Sequence, residues 1–136
     1  MPGYSGTPLP KKLGIKEGFR VYFVNDPPEV RRELRAAITA CAIARDLKTQ
    51  LDFAMVFTRS QTELKQQFPK VAKALAPAGM LWIGWPKKAS GVPTDLDENV
   101  VREIGLADGL VDVKVCAVTE IWSGLKFVRR VKDRKS

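Results

Sequence analysis

The sequence predicts an α/β three-layer sandwich: a mainly parallel sheet with helices on both faces, closed by an antiparallel C-terminal hairpin. Three observations carry this. Leu51–Phe57 and residues 80–85 are almost continuously apolar, as strands covered on both faces are. Segments with apolar residues at helical spacing precede, separate and follow them. Residues 111–119 and 125–131 then read as two strands joined by a short turn over 120–124, which is a hairpin at the sheet edge. Strand, helix, strand, helix, strand, helix, hairpin is the order that builds such a sheet, and 136 residues suit one domain spanning 1–136.

The elements follow in order. Residues 1–18 form an N-terminal arm: 3–10 hold too many Gly, Pro, Ser and Thr residues for a regular element, and 11–14 allow one helical turn stopped by Gly14. Arg20–Val24 is a run of strand formers. Asn25-Asp26-Pro27-Pro28 ends it, with Asp26 placed to cap a helix that opens on prolines, whose missing N–H would have no partner there. Val30, Leu34, Ala37 and Ile38 give that helix its apolar face, opposite Arg31, Arg32 and Arg35. Residues 39–44 either continue the helix or make a short strand, and periodicity does not choose.

Leu51–Phe57 is the central strand. Ser60 and Glu63 make a capping box ahead of a helix with Leu64, Phe68, Val71, Ala72 and Leu75 on its apolar stripe; Pro69 should kink or break it, and 76–79 should close it. After the strand at 80–85 a polar loop covers 86–94. Thr94 with Asp97, or Asp95 with Glu98, then caps a helix carrying Val100, Val101 and Ile104, with Gly105 as its stop.

Composition narrows the chemistry. Hydrophobic residues are 45% and charged residues 28%, the usage of an ordered globular chain. No apolar run approaches the roughly 20 residues of a membrane span and the first residues lack a leader pattern, so a cytoplasmic, non-membrane protein is expected. Cys41 and Cys116 lack C-x-x-C spacing and are expected as buried reduced thiols, and no metal site is predicted. The chain has no histidine, so it supplies neither a Ser–His nor a Cys–His pair; carboxylates, lysines and tyrosines remain for acid or base work.

The net charge of +8 favours anionic partners. Five basic residues, Arg129, Arg130, Lys132, Arg134 and Lys135, form a tail over 129–136, which is either solvated or a contact for nucleic acid or a partner protein.

Residues 51–85 carry an Asp near the start of a strand, a helix leading into Leu75-Ala76-Pro77-Ala78-Gly79, and an apolar strand. This resembles the second half of class I methyltransferases, and the terminal hairpin fits. In that superfamily adenosylmethionine sits on a glycine-rich turn after the first strand. The matching turn here, Asn25-Asp26-Pro27-Pro28, has no glycine and two stiff prolines. The resemblance implies Asp46 at the ribose-binding position if 41–45 is a strand.

The segments Gly3-Tyr4-Ser5-Gly6-Thr7-Pro8-Leu9, Lys11-Lys12-Leu13-Gly14-Ile15, Trp85-Pro86-Lys87-Lys88-Ala89-Ser90-Gly91 and Trp122-Ser123-Gly124-Leu125 are together similar to a family of small bacterial proteins of unknown function with a Rossmann-like fold. That resemblance implies a fold and no activity.

The loop holding Lys87, Lys88, Ser90, Gly91 and Thr94 leaves the carboxyl end of a central strand, where open α/β sheets place ligands, and runs into a helix N-terminus that favours anions. The alternative is a solvated connector. Asn25, Asp26, Thr58 and Ser60 lie at neighbouring strand ends and either complete a crevice or act locally as caps. Trp82 and Trp85, three apart on a strand, point to opposite faces as core residues, while Trp122 in the turn pins the arm or a partner chain. The expected function is a non-catalytic module that binds an anionic small molecule and needs no cofactor. The alternatives are a divergent adenosylmethionine-dependent methyltransferase and an adaptor for nucleic acid or protein acting through the tail.

Overall fold

The computed structural model describes residues 6–134. Its elements are α1 (Leu9–Leu13), β1 (Arg20–Val24), α2 (Pro28–Ile38), β2 (Ala42–Ile43), β3 (Leu51–Phe57), α3 (Gln61–Lys73), β4 (Leu75–Pro86), α4 (Glu98–Ala107), β5 (Leu110–Ala117) and β6 (Trp122–Arg129), with single 3-10 turns at Lys88–Ser90 and Val131–Asp133. The strands form one six-stranded sheet in the order β2-β1-β3-β4-β6-β5. β2, β1, β3 and β4 are parallel, and β6 enters antiparallel between β4 and β5. The chain runs from β1 out to β2 and back past β1 to β3, so the strand order reverses between β1 and β3. Ligands of open α/β sheets collect at the carboxyl ends of such strands.

Both faces of the sheet are covered, which is why its central strands are almost continuously apolar, Asp52 being the charged exception in β3. Ala54, Val56, Leu81, Ile83 and Trp85 pack beneath α3 and α4. Phe53, Met55, Phe57 and Trp82 pack on the other side with Leu9 and Leu13 of α1 and Val30 and Leu34 of α2. The two tryptophans thus face opposite layers, and Trp82 Nε1 donates to the Leu13 carbonyl (2.9 Å), fastening α1 to the sheet.

Several local expectations give way to packing. α1 begins at Leu9, whose side chain is buried, so residues 9 and 10 belong to the helix and not to an extended arm; residues 3–5 of that arm lie outside the described residues. α2 stops at Ile38 and residues 42 and 43 pair with β1, which resolves 39–44 as a helix end followed by a very short strand. Pro69 does not break α3, which is continuous through residue 73; the position is exposed, so the carbonyl deprived of its partner can turn to water. Residues 76–79 lie inside β4 instead of closing a helix, and the ladder shifts register there, from Leu51 opposite Leu75 to Phe53 opposite Met80.

Gly105 does not end α4 but lies within it, buried, because an added Cβ would fall 2.1 Å from the Phe127 ring. That ring in turn meets Phe68 edge-on at 5.2 Å. Cys41 and Cys116 are free but half-buried instead of fully buried. Among the described residues no helix is long and apolar enough to cross a membrane.

Candidate functional site at the carboxyl ends of the strands

The exit of β1 is closed. Asn25 adopts a left-handed conformation (φ 57°), the one non-glycine residue to do so among those described, and asparagine tolerates that region better than most. Its Nδ2 donates to the Phe57 carbonyl (3.2 Å), tying β1 to β3 at the point where the strand order reverses. Asp26 does not cap α2. Its two carboxylate oxygens take a forked pair of bonds from Arg31 at 2.8 and 2.9 Å, and Pro27 occupies the cap position. The Pro27 carbonyl accepts from the N–H groups of Val30 and Arg31, both at 3.0 Å. With two prolines lacking a donor and these two N–H groups engaged, the first turn keeps only the Glu29 N–H, beside that residue's own carboxylate. A pyrophosphate or carboxylate finds no cradle here.

At the exit of β3, Thr58 is buried and its hydroxyl interacts with the backbone of Ser60, donating to the carbonyl at 3.4 Å and accepting from the N–H at 3.2 Å. Ser60 Oγ accepts from the Glu63 N–H as the cap of α3. These hydroxyls are engaged locally.

The exit of β4 is open. A cavity of about 640 Å³ is lined by Lys87, Lys88, Gly91 and Thr94, by the apolar Trp85 and Leu96, and by Asp95, Asp97 and Glu98, the last of which pairs with Arg102. The loop is held by its own bonds. Ser90 Oγ donates to the Lys87 carbonyl (2.6 Å), Gly91 takes a left-handed turn (φ 77°), and Thr94 Oγ1 donates to the Arg59 carbonyl (2.7 Å) while accepting from the Leu96 N–H (3.1 Å). The cap of α4 is Asp97, whose carboxylate accepts from the Val100 N–H (2.8 Å), in place of either pairing expected from Thr94 or Asp95. Asp95 instead accepts from the Gln61 N–H (2.8 Å) and joins the loop to α3.

Of the residues singled out in the sequence, Lys87, Lys88, Gly91 and Thr94 therefore meet in one cleft. Ser90 shapes the loop behind them, and Asn25 and Thr58 line no part of it. The acidic wall was missed because Asp95, Asp97 and Glu98 read as capping residues; their density over four positions was the available signal. That wall and the Asp97 cap place negative charge where a bare anion would have approached the helix end.

Asp46 lies three residues past β2 and its carboxylate accepts from the Lys48 N–H (3.0 Å). A separate cavity of about 320 Å³ between α2 and β2 is lined by Phe23, Asp26, Arg31, Arg35, Ile38 and Ile43 and not by Asp46.

Trp122 is the first residue of β6, not a turn residue, and its ring meets Phe57 edge-on at 5.2 Å. In the basic tail, Arg129 ends β6 and donates to the carbonyls of Ala72 and Leu75 at 2.9 and 2.8 Å, a structural role. Arg130, Lys132 and Arg134 are exposed, and Lys135 lies outside the described residues. Among the described residues no cluster of His, Cys, Asp or Glu is placed to hold a metal.

Sheet order, two-sided burial and antiparallel end together define a Rossmann-like fold of the methyltransferase type. The magnesium protoporphyrin IX methyltransferase of Synechocystis PCC 6803, solved with bound SAM, superposes with a TM-score of 0.58 at 11% identity, over 90% of this chain and 74% of that one. Precorrin-6y C5,15-methyltransferase from Geobacter metallireducens GS-15 gives 0.57 at 8% identity, over 90% and 86%. The Methanococcus jannaschii fibrillarin pre-rRNA processing protein gives 0.54 at 13%, over 93% and 70%. A sequence comparison with curated proteins finds no match. The chain belongs to the DUF3052 family of proteins of unknown function, whose model matches residues 11–131.

Proposed function

We propose that this chain is a methyltransferase-like protein that binds a small polar ligand at the exit of β4 and does so without the cofactor turn after β1. The observation that carries the reading is the contrast between the two exits: one bridged by Asn25 and stripped of donors by Pro27 and Pro28, the other a cleft of about 640 Å³ with charge on both walls. The ligand directs an anionic group at Lys87 and Lys88 and a cationic or hydrogen-bond-donating group at Asp95 and Asp97, with its apolar part against Trp85 and Leu96. Adenosylmethionine does not fit the first turn, so no methyl transfer is assigned to these residues.

A second reading, an adenosylmethionine enzyme with a rebuilt site, is favoured by the cavity between α2 and β2, which adjoins the end of β1 and holds Arg31 and Arg35. Thermal-shift and calorimetric titrations separate the two. The probes are adenosylmethionine, adenosylhomocysteine, free amino acids and nucleotides, since a ligand of the folded state raises the midpoint. Binding that is lost in Lys87→Ala/Lys88→Ala and kept in Ile43→Trp supports the first reading. Adenosylmethionine binding that survives the lysine changes and is lost in Ile43→Trp replaces it with the second.

A further inference from the structure

A second charged surface lies on the sheet face that carries α1 and reaches from the exit of β4 along the C-terminal hairpin. Lys114 of β5 and Lys126 of β6 are direct cross-strand partners, an arrangement in which like charges repel. The Lys114 ammonium donates to the Lys12 carbonyl at 3.0 Å, and the Lys12 ammonium to the Ala117 carbonyl at 2.8 Å, so the basic end of α1 and the edge strand are laced together. Lys126 Nζ lies 3.9 Å from the Cβ position at Gly14, directly beside the end of that helix. Burial, then the charges of Lys114 and Lys16, push the Lys126 ammonium below its usual range. Lys12, Lys114 and Lys87 all act on the Cys116 thiol, opposing the upward push of its burial. Lysines from four separate segments therefore converge on one region, and none of Lys16, Lys114 and Lys126 forms a salt bridge with a described residue.

The arrangement is a stripe. Lys87 is tied to the hairpin turn through its N–H and the Ile121 carbonyl, next to the paired Ala117 and Ser123. Lys114 and Lys126 come three residues further along the strands, about 10 Å away, with Lys16 beyond the end of α1. A line of positive charge matches a line of phosphates. The indole of Trp82 beneath it is buried and that of Trp122 is packed on Phe57, so neither of these rings is a platform for stacking bases.

We infer that this stripe of lysines binds the phosphodiester backbone of a nucleic acid without sequence preference. The contact is distinct from the basic tail, whose first residue, Arg129, is engaged with α3 and β4.

The test is fluorescence anisotropy of the full chain with short single-stranded and duplex oligonucleotides at about 50 and 200 mM salt, where backbone contacts weaken steeply. Lys114→Gln/Lys126→Gln is expected to lower low-salt affinity about tenfold or more and to reduce the slope of log affinity against log salt by about two. The change relieves a repelling pair but gives up the Lys114 bond to the Lys12 carbonyl, so its thermal midpoint is measured beside that of the parent. Should it fall, Lys16→Gln, at an exposed position, serves instead and should reduce the slope by about one. Arg130→Gln/Lys132→Gln/Arg134→Gln should leave affinity within about twofold. The proposal is overturned if neither oligonucleotide binds, if binding is indifferent to Lys16, Lys114 and Lys126, or if only the tail changes abolish it. Binding of inorganic polyphosphate without either oligonucleotide overturns it too.

Discussion

The ends of β1 and β4 lie on the same edge of one sheet, two strands apart, and they are built in opposite ways. At β1 the chain turns at once into a helix through two prolines, and an asparagine side chain bridges to the next strand. At β4 a loop over residues 87–97 departs, anchors itself on the exit of β3 through Thr94 and Asp95, and leaves a cleft between lysines and carboxylates. A fold shared over nine-tenths of the chain with a methyltransferase solved with bound SAM therefore comes here with a β1 exit that Asn25 bridges and two prolines follow. Fold likeness carries the sheet and not the site.

The strongest way to break the contrast is to remove what both exits rest on. Phe57, the last residue of β3, is fully buried; its ring supports Trp122 and lies against Gly84, while its carbonyl receives the Asn25 bond. Phe57→Ala should lower unfolding free energy by about 3–5 kcal/mol in urea titrations. A loss under about 1 kcal/mol would mean that the two exits share no floor.

Asn25 sharpens the comparison more selectively. Asn25→Ala loses the bond to Phe57 and leaves a Cβ in the left-handed region, and should lower stability by about 1–2 kcal/mol. Asn25→Gly loses the same bond without the backbone strain and should recover about 1 kcal/mol of that. Equal stabilities for the two variants would show that the left-handed turn contributes nothing to closing β1. If the asparagine is what seals the exit, the glycine variant should also exchange the amide protons at the end of β3 faster than the parent does.

Much of this was legible in the sequence, for identifiable reasons. The strands at 51–57 and 80–85 were readable because burial on both faces demands nearly unbroken apolar runs, the hairpin because two strand-forming runs flank a short turn, and Ser60 with Glu63 marked a helix start through a purely local bond. What stayed hidden depends on distant partners. Gly105 looks like a stop until Phe127 is seen against it, and residues 76–79 look like a helix end until Leu51 is found opposite Leu75. Arg129 looks like part of a tail until its donors meet the carbonyls of Ala72 and Leu75. In the site, the lysines were visible as a motif. Their acidic counterparts were not, because each carboxylate already had a sufficient local explanation as a cap.

The smallest expected effect decides whether that local explanation is the whole of it. Asp97→Ala removes the cap of α4 and should lower stability by about 1 kcal/mol, a midpoint shift of roughly 4 °C for a chain of this size. Asp97→Asn keeps a good capping oxygen, so it should leave the midpoint nearly unchanged while removing one negative charge from the cleft. If the acidic wall is what keeps bare anions out, the asparagine variant should bind inorganic phosphate or sulfate more tightly than the parent, and Lys87→Ala/Lys88→Ala placed on top should cancel the gain. If anion affinity is the same with aspartate and asparagine, the carboxylate acts only on its helix, and the lysines face a cleft that is acidic in composition but not in effect.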